Sequence, residues 1–313
     1  MSNTTCAEIA SAYTGRTRKV VNVYQTQFID FKASGLGDYL RGCFTMLQIL
    51  RLLKTYTGAT IEFDMDMRNH PMSRFLVTDA SLELPASYPA LGNFHIDSLI
   101  VPHDENDIAF QHVLREAVRY FNKIPDYIFF THCCKEHIFS EILDSEKALI
   151  RSRLQPTPAM EVYIEDAMRR LGVVAGGFEA IHVRLDDAIC FPHAHVSIYG
   201  SSATPAPTTK LLADVVAAVY KVVDPRLTYV LLSSSTEVKT ALSANPNIRW
   251  IPTSICHIGQ NQSQTDEETR DTMLDFFLLS RATAIHAFTT YQRTGFSLEC
   301  SKVYGIPYTV TKV

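Results

Sequence analysis

The sequence predicts an α/β protein built as two Rossmann-like domains facing across a cleft. Three observations point there. Short β-branched and apolar runs alternate with stretches of helical periodicity in both halves of the chain, the pattern of parallel sheets covered by helices. The chain has 313 residues, enough for two domains of ordinary size. Finally, Gln155-Pro-Thr-Pro158 interrupts an otherwise helical stretch. Proline cannot continue a helix, so a boundary is expected there, giving domains 1–157 and 158–313.

The elements follow in order. Lys19 to Phe28 alternates and is rich in β-branched residues, which reads as a first strand. From Asp38 to about Tyr56, Leu40, Phe44, Leu47, Leu50 and Leu53 recur at helical spacing. Gly35-Leu36-Gly37 between them reads as a strand-to-helix turn, with Asp38 near the helix N-terminus, where a carboxylate is favoured. Ala59–Asp64 is a second strand, Phe94–Val101 a short one, Asn106–Phe121 an amphipathic helix and Tyr127–Thr131 a buried strand. Residues 140–172 read as helix apart from the proline break. The second half alternates strand Phe178–Arg184, a loop to Pro207, helix Thr208–Val223, strand Tyr229–Ser233, helix Thr236–Ala244 and strand Ile248–Ile251. A polar loop then leads to helix Glu268–Ser280, strand Ala284–Phe288, helix Thr294–Tyr304 and a last strand Tyr308–Val310.

Composition narrows the function classes. With 46% hydrophobic and 20% charged residues the chain is an ordinary globular one. A net charge of −4 argues against a general nucleic-acid binder. The seven cysteines are scattered, odd in number and form no CxxC pair, as expected of reduced thiols in an intracellular protein. His132-Cys133-Cys134-x-x-His137 fits no usual zinc spacing. The N-terminal stretch lacks the apolar core of a secretory signal, and no run approaches the length of a membrane span. A cytoplasmic or soluble intracellular setting is the expectation, and nothing bears on the oligomeric state.

Three stretches carry candidate chemistry. Ile181-His-Val-Arg184-Leu-Asp-Asp187 runs from apolar to charged, as a buried strand does when it reaches the edge of its sheet. Ligands of open α/β folds bind outside such carboxyl ends. Arg184 offers a planar fork of donors suited to phosphate oxygens; an Arg184–Asp salt bridge is the plainer reading. Gly35-Leu-Gly37-Asp38-x-x-Arg41-Gly42 would bring backbone close to a ligand at a helix N-terminus. Its spacing is not that of a dinucleotide fingerprint. Ala284 to Ser297 runs from apolar residues into Thr289, Thr290 and Thr294, another strand-to-helix turn, where Thr294 can serve simply as a helix cap.

His182-Val-Arg184 followed by Asp187 resembles the HVRxxD motif of the GDP-fucose-dependent fucosyltransferases, the superfamily of α1,2-, α1,6- and protein O-fucosyltransferases. Tyr229-Val-Leu-Leu-Ser-Ser234-Ser-Thr is similar to the family's strand ending in an acidic turn, and Asp275-x-x-x-Leu-Ser280-x-Ala282 followed by Phe288-Thr-Thr290 to its third segment. Gly35-Leu-Gly37-Asp38 is similar to its N-terminal glycine-rich turn. The resemblance spans about residues 20–310, loosely between 65 and 170.

The resemblance implies a GT-B fold and an inverting, metal-independent transfer of fucose from GDP-fucose to a hydroxyl of a glycan or glycoconjugate, with no cofactor. It places the donor in the C-terminal domain, with His182, Arg184, Ser234, Asp275, Thr289 and Thr290 around it and Gly35 and Gly37 approaching it. Arg184 would hold the β-phosphate, and Asp275 would accept hydrogen bonds from guanine. Asp38, Arg41 and His193 would lie on the acceptor side. The base is among Asp38, Asp187, His193 and His195, with Asp38 preferred. Two departures stand out: Leu185 replaces a usual second arginine, which would remove a charge near the phosphates, and Ser233-Ser234-Ser235 replaces the acidic turn. Two other readings are a metal-dependent GT-A enzyme using Asp64-Met-Asp66 as its DxD, and a nucleotide- or glycan-binding module without turnover.

Overall fold

The computed structural model describes residues 5–15, 17–24, 35–77, 104–123, 127–130, 138–185, 209–254, 265–290 and 294–313. They form two compact units, one up to Gln155 and one from Pro156 onward.

The first unit is built on a parallel sheet of β1 (Lys19–Val23), β2 (Glu62–Asp66) and β3 (Tyr127–Phe130), in the order β2-β1-β3. Strand pairing ends at Val23, short of the expected Phe28; Tyr24 still donates its backbone N–H to Asp66 at 2.8 Å, and 25–34 lie outside the described residues. The helix expected from Asp38 is α2, Leu36–Thr57. It ends where Gly58 turns into the left-handed region at φ 70°, which a side chain would resist. Its buried Gln48 takes the N–H groups of Ile138 and Phe139 on its carbonyl oxygen and gives its amide to the carbonyls of Phe139 and Glu141. One buried side chain is thereby satisfied in full and fastens the 138–141 segment to α2.

A short helix, α1 (Cys6–Ser11), is not among the sequence expectations. Thr5 and Glu8 close a capping box at its start, the i, i+3 signal that marks it. Helix α3 spans Ile108–Lys123, starting after Asn106 because the Asp107 carboxylate accepts the N–H of Ala109. The stretch expected as one broken helix is α4 (Asp144–Arg153) and α5 (Pro158–Leu171). Thr157 caps α5 and Pro158 opens it, where a missing N–H costs nothing. The strand expected at 94–101 lies outside the described residues.

The second unit holds five parallel strands, β4 (Glu179–Arg184), β5 (Tyr229–Ser233), β6 (Ile248–Arg249), β7 (Ile285–Thr289) and β8 (Tyr308–Lys312). Their order is β6-β5-β4-β7-β8. Helices α6 (Thr209–Tyr220), α7 (Thr236–Leu242), α8 (Asp266–Leu279) and α9 (Gly295–Tyr304) alternate with them. Side chains of a strand alternate between faces. On β4, Ile181 and Val183, with Leu185 just beyond, pack with Val215 and Val219 of α6 and Val238 and Leu242 of α7. His182 therefore points to the opposite face, where its ring meets Phe296 of α9 at 6.0 Å, and Phe296 meets Phe276 of α8 at 5.6 Å. The α/β class predicted from the alternation is the class observed. No helix of the described residues is long and apolar enough to cross a membrane.

Candidate functional site

The strand order places a crevice in the second unit. The chain leaves β4 toward β5 and β6 and returns on its other side as β7 and β8. Where the winding direction reverses, the crossovers diverge and the carboxyl ends of the strands are left open to a ligand. Here that point lies between β4 and β7. In register, Arg184 stands beside Thr289 of β7, and Val183 beside Ser233 of β5. The structure thus brings His182, Arg184, Ser234, Thr289 and Thr290 to one edge of one sheet, from three segments far apart in sequence.

Two of these residues show what the edge lacks. The Ser234 Oγ and Thr290 Oγ1 are shielded from solvent and have no hydrogen-bond partner among the described residues. A buried hydroxyl left alone costs about 1–3 kcal/mol, so such groups are uncommon and call for a partner. Their neighbours are spoken for: Ser233 Oγ accepts the N–H of Ser235, and Ser235 Oγ caps α7 and donates to Glu237. Of the three consecutive serines, the middle one has no side-chain hydrogen-bond partner among the described residues.

His182 sits behind this edge in a chain of hydroxyls. Its Nδ1 lies 2.9 Å from Ser297 Oγ and 3.5 Å from Thr294 Oγ1. Thr294 Oγ1 also contacts Ser297 Oγ and, at 3.3 Å, Tyr308 Oη. Burial, reinforced by the charge of Arg184, pushes the imidazole down to about 3, so it is neutral at working pH. Thr294 is the N-cap residue of α9, but its side chain makes no cap hydrogen bond. The reading of Thr294 as a simple cap is therefore corrected: its hydroxyl is drawn to His182, Ser297 and Tyr308. Ser297 ends the Ala284–Ser297 stretch singled out in the sequence but was given no role there, and Tyr308 was not anticipated. The position of Ser297, three residues after Thr294, is the spacing that brings the two together.

Asp275 lies on α8 next to Phe276 and is 5% exposed. Burial raises its carboxyl to about 7; Lys239 pulls it down and Asp271 pushes it up. Asp271, one turn earlier, has both oxygens in use, one accepting Tyr163 Oη at 2.8 Å and the other the N–H of Ser254 at 2.8 Å.

Leu185 reads differently in three dimensions. It is fully buried among Val183, Val215 and Leu242, on the face opposite His182. It does not remove a charge from the edge, because alternation turns its side chain into the core.

In the first unit, Gly35 is the N-cap of α2, at φ −65°, and Leu36 and Gly37 are already helical. The expected turn at 35–37 is therefore the first turn of the helix itself. Asp38 stands in that turn and pairs with the buried Arg41 at 3.2 Å. The carboxylates of Asp64-Met-Asp66 are both taken. Arg153 Nε donates to Asp64 at 2.9 Å, and Arg68 grips Asp66 through Nε and Nη2 at 3.0 and 2.8 Å. Two carboxylates each neutralised by an arginine are poor ligands for a divalent ion. Asp187, His193, His195 and the His132–His137 stretch lie outside the described residues.

No protein-family model and no curated protein matches the chain by sequence. Solved structures match it in fold. A NodZ α-1,6-fucosyltransferase from Bradyrhizobium soaked with GDP-fucose superposes with a TM-score of 0.50 at 13% identity, covering 92% of this chain and 93% of the other. A mutant of Arabidopsis thaliana FUT1 in complex with GDP gives a TM-score of 0.51 at 14% identity, covering 97% and 73%. The chain has the GT-B-type α/β fold of these fucosyltransferases.

Proposed function

We propose that the chain is a glycosyltransferase that uses GDP-fucose as donor and transfers fucose to a hydroxyl of a glycan or glycoconjugate with inversion. One observation carries this reading: the shielded hydroxyls of Ser234 and Thr290, without a hydrogen-bond partner among the described residues, lie at the same carboxyl edge of the second unit's sheet as Arg184. Two shielded hydroxyls beside a guanidinium form a set of donors for anionic oxygens. The fold shared with proteins whose structures hold GDP-fucose or GDP makes a sugar nucleotide the natural ligand.

The chemistry follows from the donor. The acceptor oxygen attacks the anomeric carbon of fucose. The bond from that carbon to the β-phosphate oxygen breaks, and GDP departs with the electron pair. Arg184 stabilises the charge that develops on the β-phosphate, the work a fixed cation does best in a partly shielded site. Ser234, Thr289 and Thr290 hold phosphate oxygens, and neutral His182 lines the nucleotide's place, its Nδ1 engaged by Ser297. Asp275 receives the N–H donors of guanine. Gly35 and Gly37 serve the donor, Asp38 and Arg41 the acceptor, and Asp38 or Asp187 takes its proton. His193 belongs to the acceptor side in the same reading. The reaction needs no metal, since cationic and hydroxyl donors replace it.

The test is a comparison of ligands. GDP and GDP-fucose should raise the melting temperature while UDP does not. Transfer or hydrolysis of GDP-fucose should then persist in EDTA. UDP-only stabilisation would refute the reading; loss of activity in EDTA, restored by Mn²⁺, would favour a metal-dependent mechanism. GDP binding without turnover on any acceptor would leave a binding module.

A further inference from the structure

The hydroxyls beside His182 form a series that runs across three elements. Tyr308 Oη lies 3.3 Å from Thr294 Oγ1, Thr294 Oγ1 contacts Ser297 Oγ, and Ser297 Oγ lies 2.9 Å from His182 Nδ1. Thr294 is the N-cap of α9 and Ser297 lies in its first turn. Tyr308 opens β8, shortly after α9 has ended at Gly305. In register, Tyr308 stands beside Ile285 of β7 and Ile285 beside Ala180 of β4, so Tyr308 shares the face of the sheet that carries His182. Thr294 and Ser297 are buried, where a hydroxyl is expected to spend its proton on a neighbour.

The direction of this series decides the state of the imidazole. A neutral imidazole carries one proton, on Nδ1 or on Nε2, and the partner of one nitrogen fixes the choice. Each hydroxyl has one proton to give. Run from Tyr308 to His182, the series uses all three: the phenol donates to Thr294, Thr294 to Ser297, and Ser297 to Nδ1. Run the other way, Nδ1–H donates to Ser297, and the phenol proton is left with no receiver among the four groups. The phenol is the most acidic of the three hydroxyls, and the bare imidazole nitrogen is the most basic acceptor. The first direction therefore sets the strongest donor and the strongest acceptor at opposite ends, with each bond polarising the next. Thr294 Oγ1 also stands 3.5 Å from Nδ1, and a proton turned that way meets the same acceptor.

We propose that Tyr308 and Thr294 are positioning residues: acting through Ser297, their hydroxyls hold the proton of His182 on Nε2, so that the ring offers an N–H donor, and not a lone pair, to an acceptor atom of the bound nucleotide. The ligand half of this rests on the reading above that His182 lines the nucleotide's place; the hydroxyl series stands on distances within the second unit. Arg184 lies two residues further along β4, on the same face, and brings charge. His182 adds a directional donor without a second charge. Breaking a link of the series releases Nδ1 to take the proton, which turns the lone pair of Nε2 toward the ligand and repels an oxygen there. Hydroxyls that only cap a helix or fill a core have no such effect: their loss alters stability and leaves the imidazole proton where it was.

The experiment reads the ring nitrogens of His182 directly, by long-range proton–nitrogen correlation on the full chain with isotope-labelled histidine; His182→Asn identifies the signals. At pH 7 the wild type should show Nε2 protonated and Nδ1 bare. Thr294→Val and Tyr308→Phe each delete one link and should shift the ratio of the two tautomers about fivefold toward Nδ1–H, the worth of one neutral hydrogen bond, while Thr294→Ser restores it. GDP affinity, measured by calorimetry, should fall in step. A wild type with the proton on Nδ1 overturns the proposal, and so does a Tyr308→Phe protein with the wild-type ratio. Should Thr294→Val not fold, Tyr308→Phe, which keeps the ring and removes only the hydroxyl, decides alone. A shifted ratio with GDP affinity within twofold of wild type overturns the part given to the ligand. Wild-type protein that binds no GDP refutes the function proposed above, while the tautomer spectra still judge the hydroxyl series.

Discussion

Thr290→Val and Ser234→Ala should separate ligand binding from stability, because each removes a hydroxyl that has no hydrogen-bond partner among the described residues. Thr290→Val keeps the shape of the side chain and deletes only the polar atom. With no partner among the described residues, that atom contributes a desolvation cost, at most about 1–3 kcal/mol, and no compensating bond. The unliganded protein should therefore keep its melting temperature or gain about 2–4 °C per kcal/mol relieved. Once a phosphate oxygen is present, the same hydroxyl makes a charge-assisted hydrogen bond of about 1.5–3 kcal/mol, so its loss should weaken GDP about 10- to 150-fold. Ser233→Ala is the internal control. Ser233 Oγ accepts the N–H of Ser235 at 3.1 Å in a buried setting, so this variant should lose about 1 kcal/mol of stability and keep its GDP affinity. Urea unfolding and calorimetry read the two quantities independently. The reasoning fails if Thr290→Val and Ser234→Ala behave like Ser233→Ala, destabilised and with GDP affinity within twofold of wild type.

Arg184→Ala should reduce transfer by about 100- to 1000-fold, as for loss of a fixed donor to a developing oxyanion, with a smaller change in GDP affinity; Arg184→Lys should recover part of the rate, and unaltered kcat in Arg184→Ala would exclude it from the reaction. Arg153→Ala leaves the buried Asp64 carboxylate with Lys19 at 4.0 Å and the Met65 N–H at 2.7 Å and should cost on the order of 3 kcal/mol or less in unfolding free energy; a metal-ligand role for Asp64 predicts instead that activity acquires or loses a metal dependence. His182 and Asp275 should pull stability in opposite directions with pH. The folded value of His182, about 3 against 6.5, means that the unfolded chain binds the extra proton, so stability falls as pH drops from 6.5 toward 3. The folded value of Asp275, about 7 against 3.8, means that the native state holds the extra proton, so stability falls as pH rises from 3.8 to 7. The slopes oppose each other across most of that interval, and Asp275→Asn should unmask acid destabilisation of up to about 1.4 kcal/mol per pH unit; a urea-midpoint profile unchanged from wild type would refute the assignment.

The elements of the second unit were legible because their signals are local. An apolar run such as Tyr229–Ser233 needs no partner to be recognised, and the strand ends where the sequence places it. The position of His182 and Arg184 at a strand end was legible for the same reason. Leu185 was misplaced although the signal was present: Ile181, Val183 and Leu185 alternate with His182 and Arg184, and period two assigns them to opposite faces. What no sequence pattern contains is satisfaction. Whether a serine hydroxyl is used or spare depends on neighbours brought by folding, so Ser233, Ser234 and Ser235 look alike in sequence and differ entirely in the structure. Lys239 is the harder instance. On α7 it reads as an ordinary exposed lysine beside Val238, yet it is buried, and its ammonium donates to Thr253 Oγ1 at 3.0 Å. The serine turn thus differs from an acidic turn in a definite way: Ser234 is uncharged, and its shielded hydroxyl has no hydrogen-bond partner among the described residues.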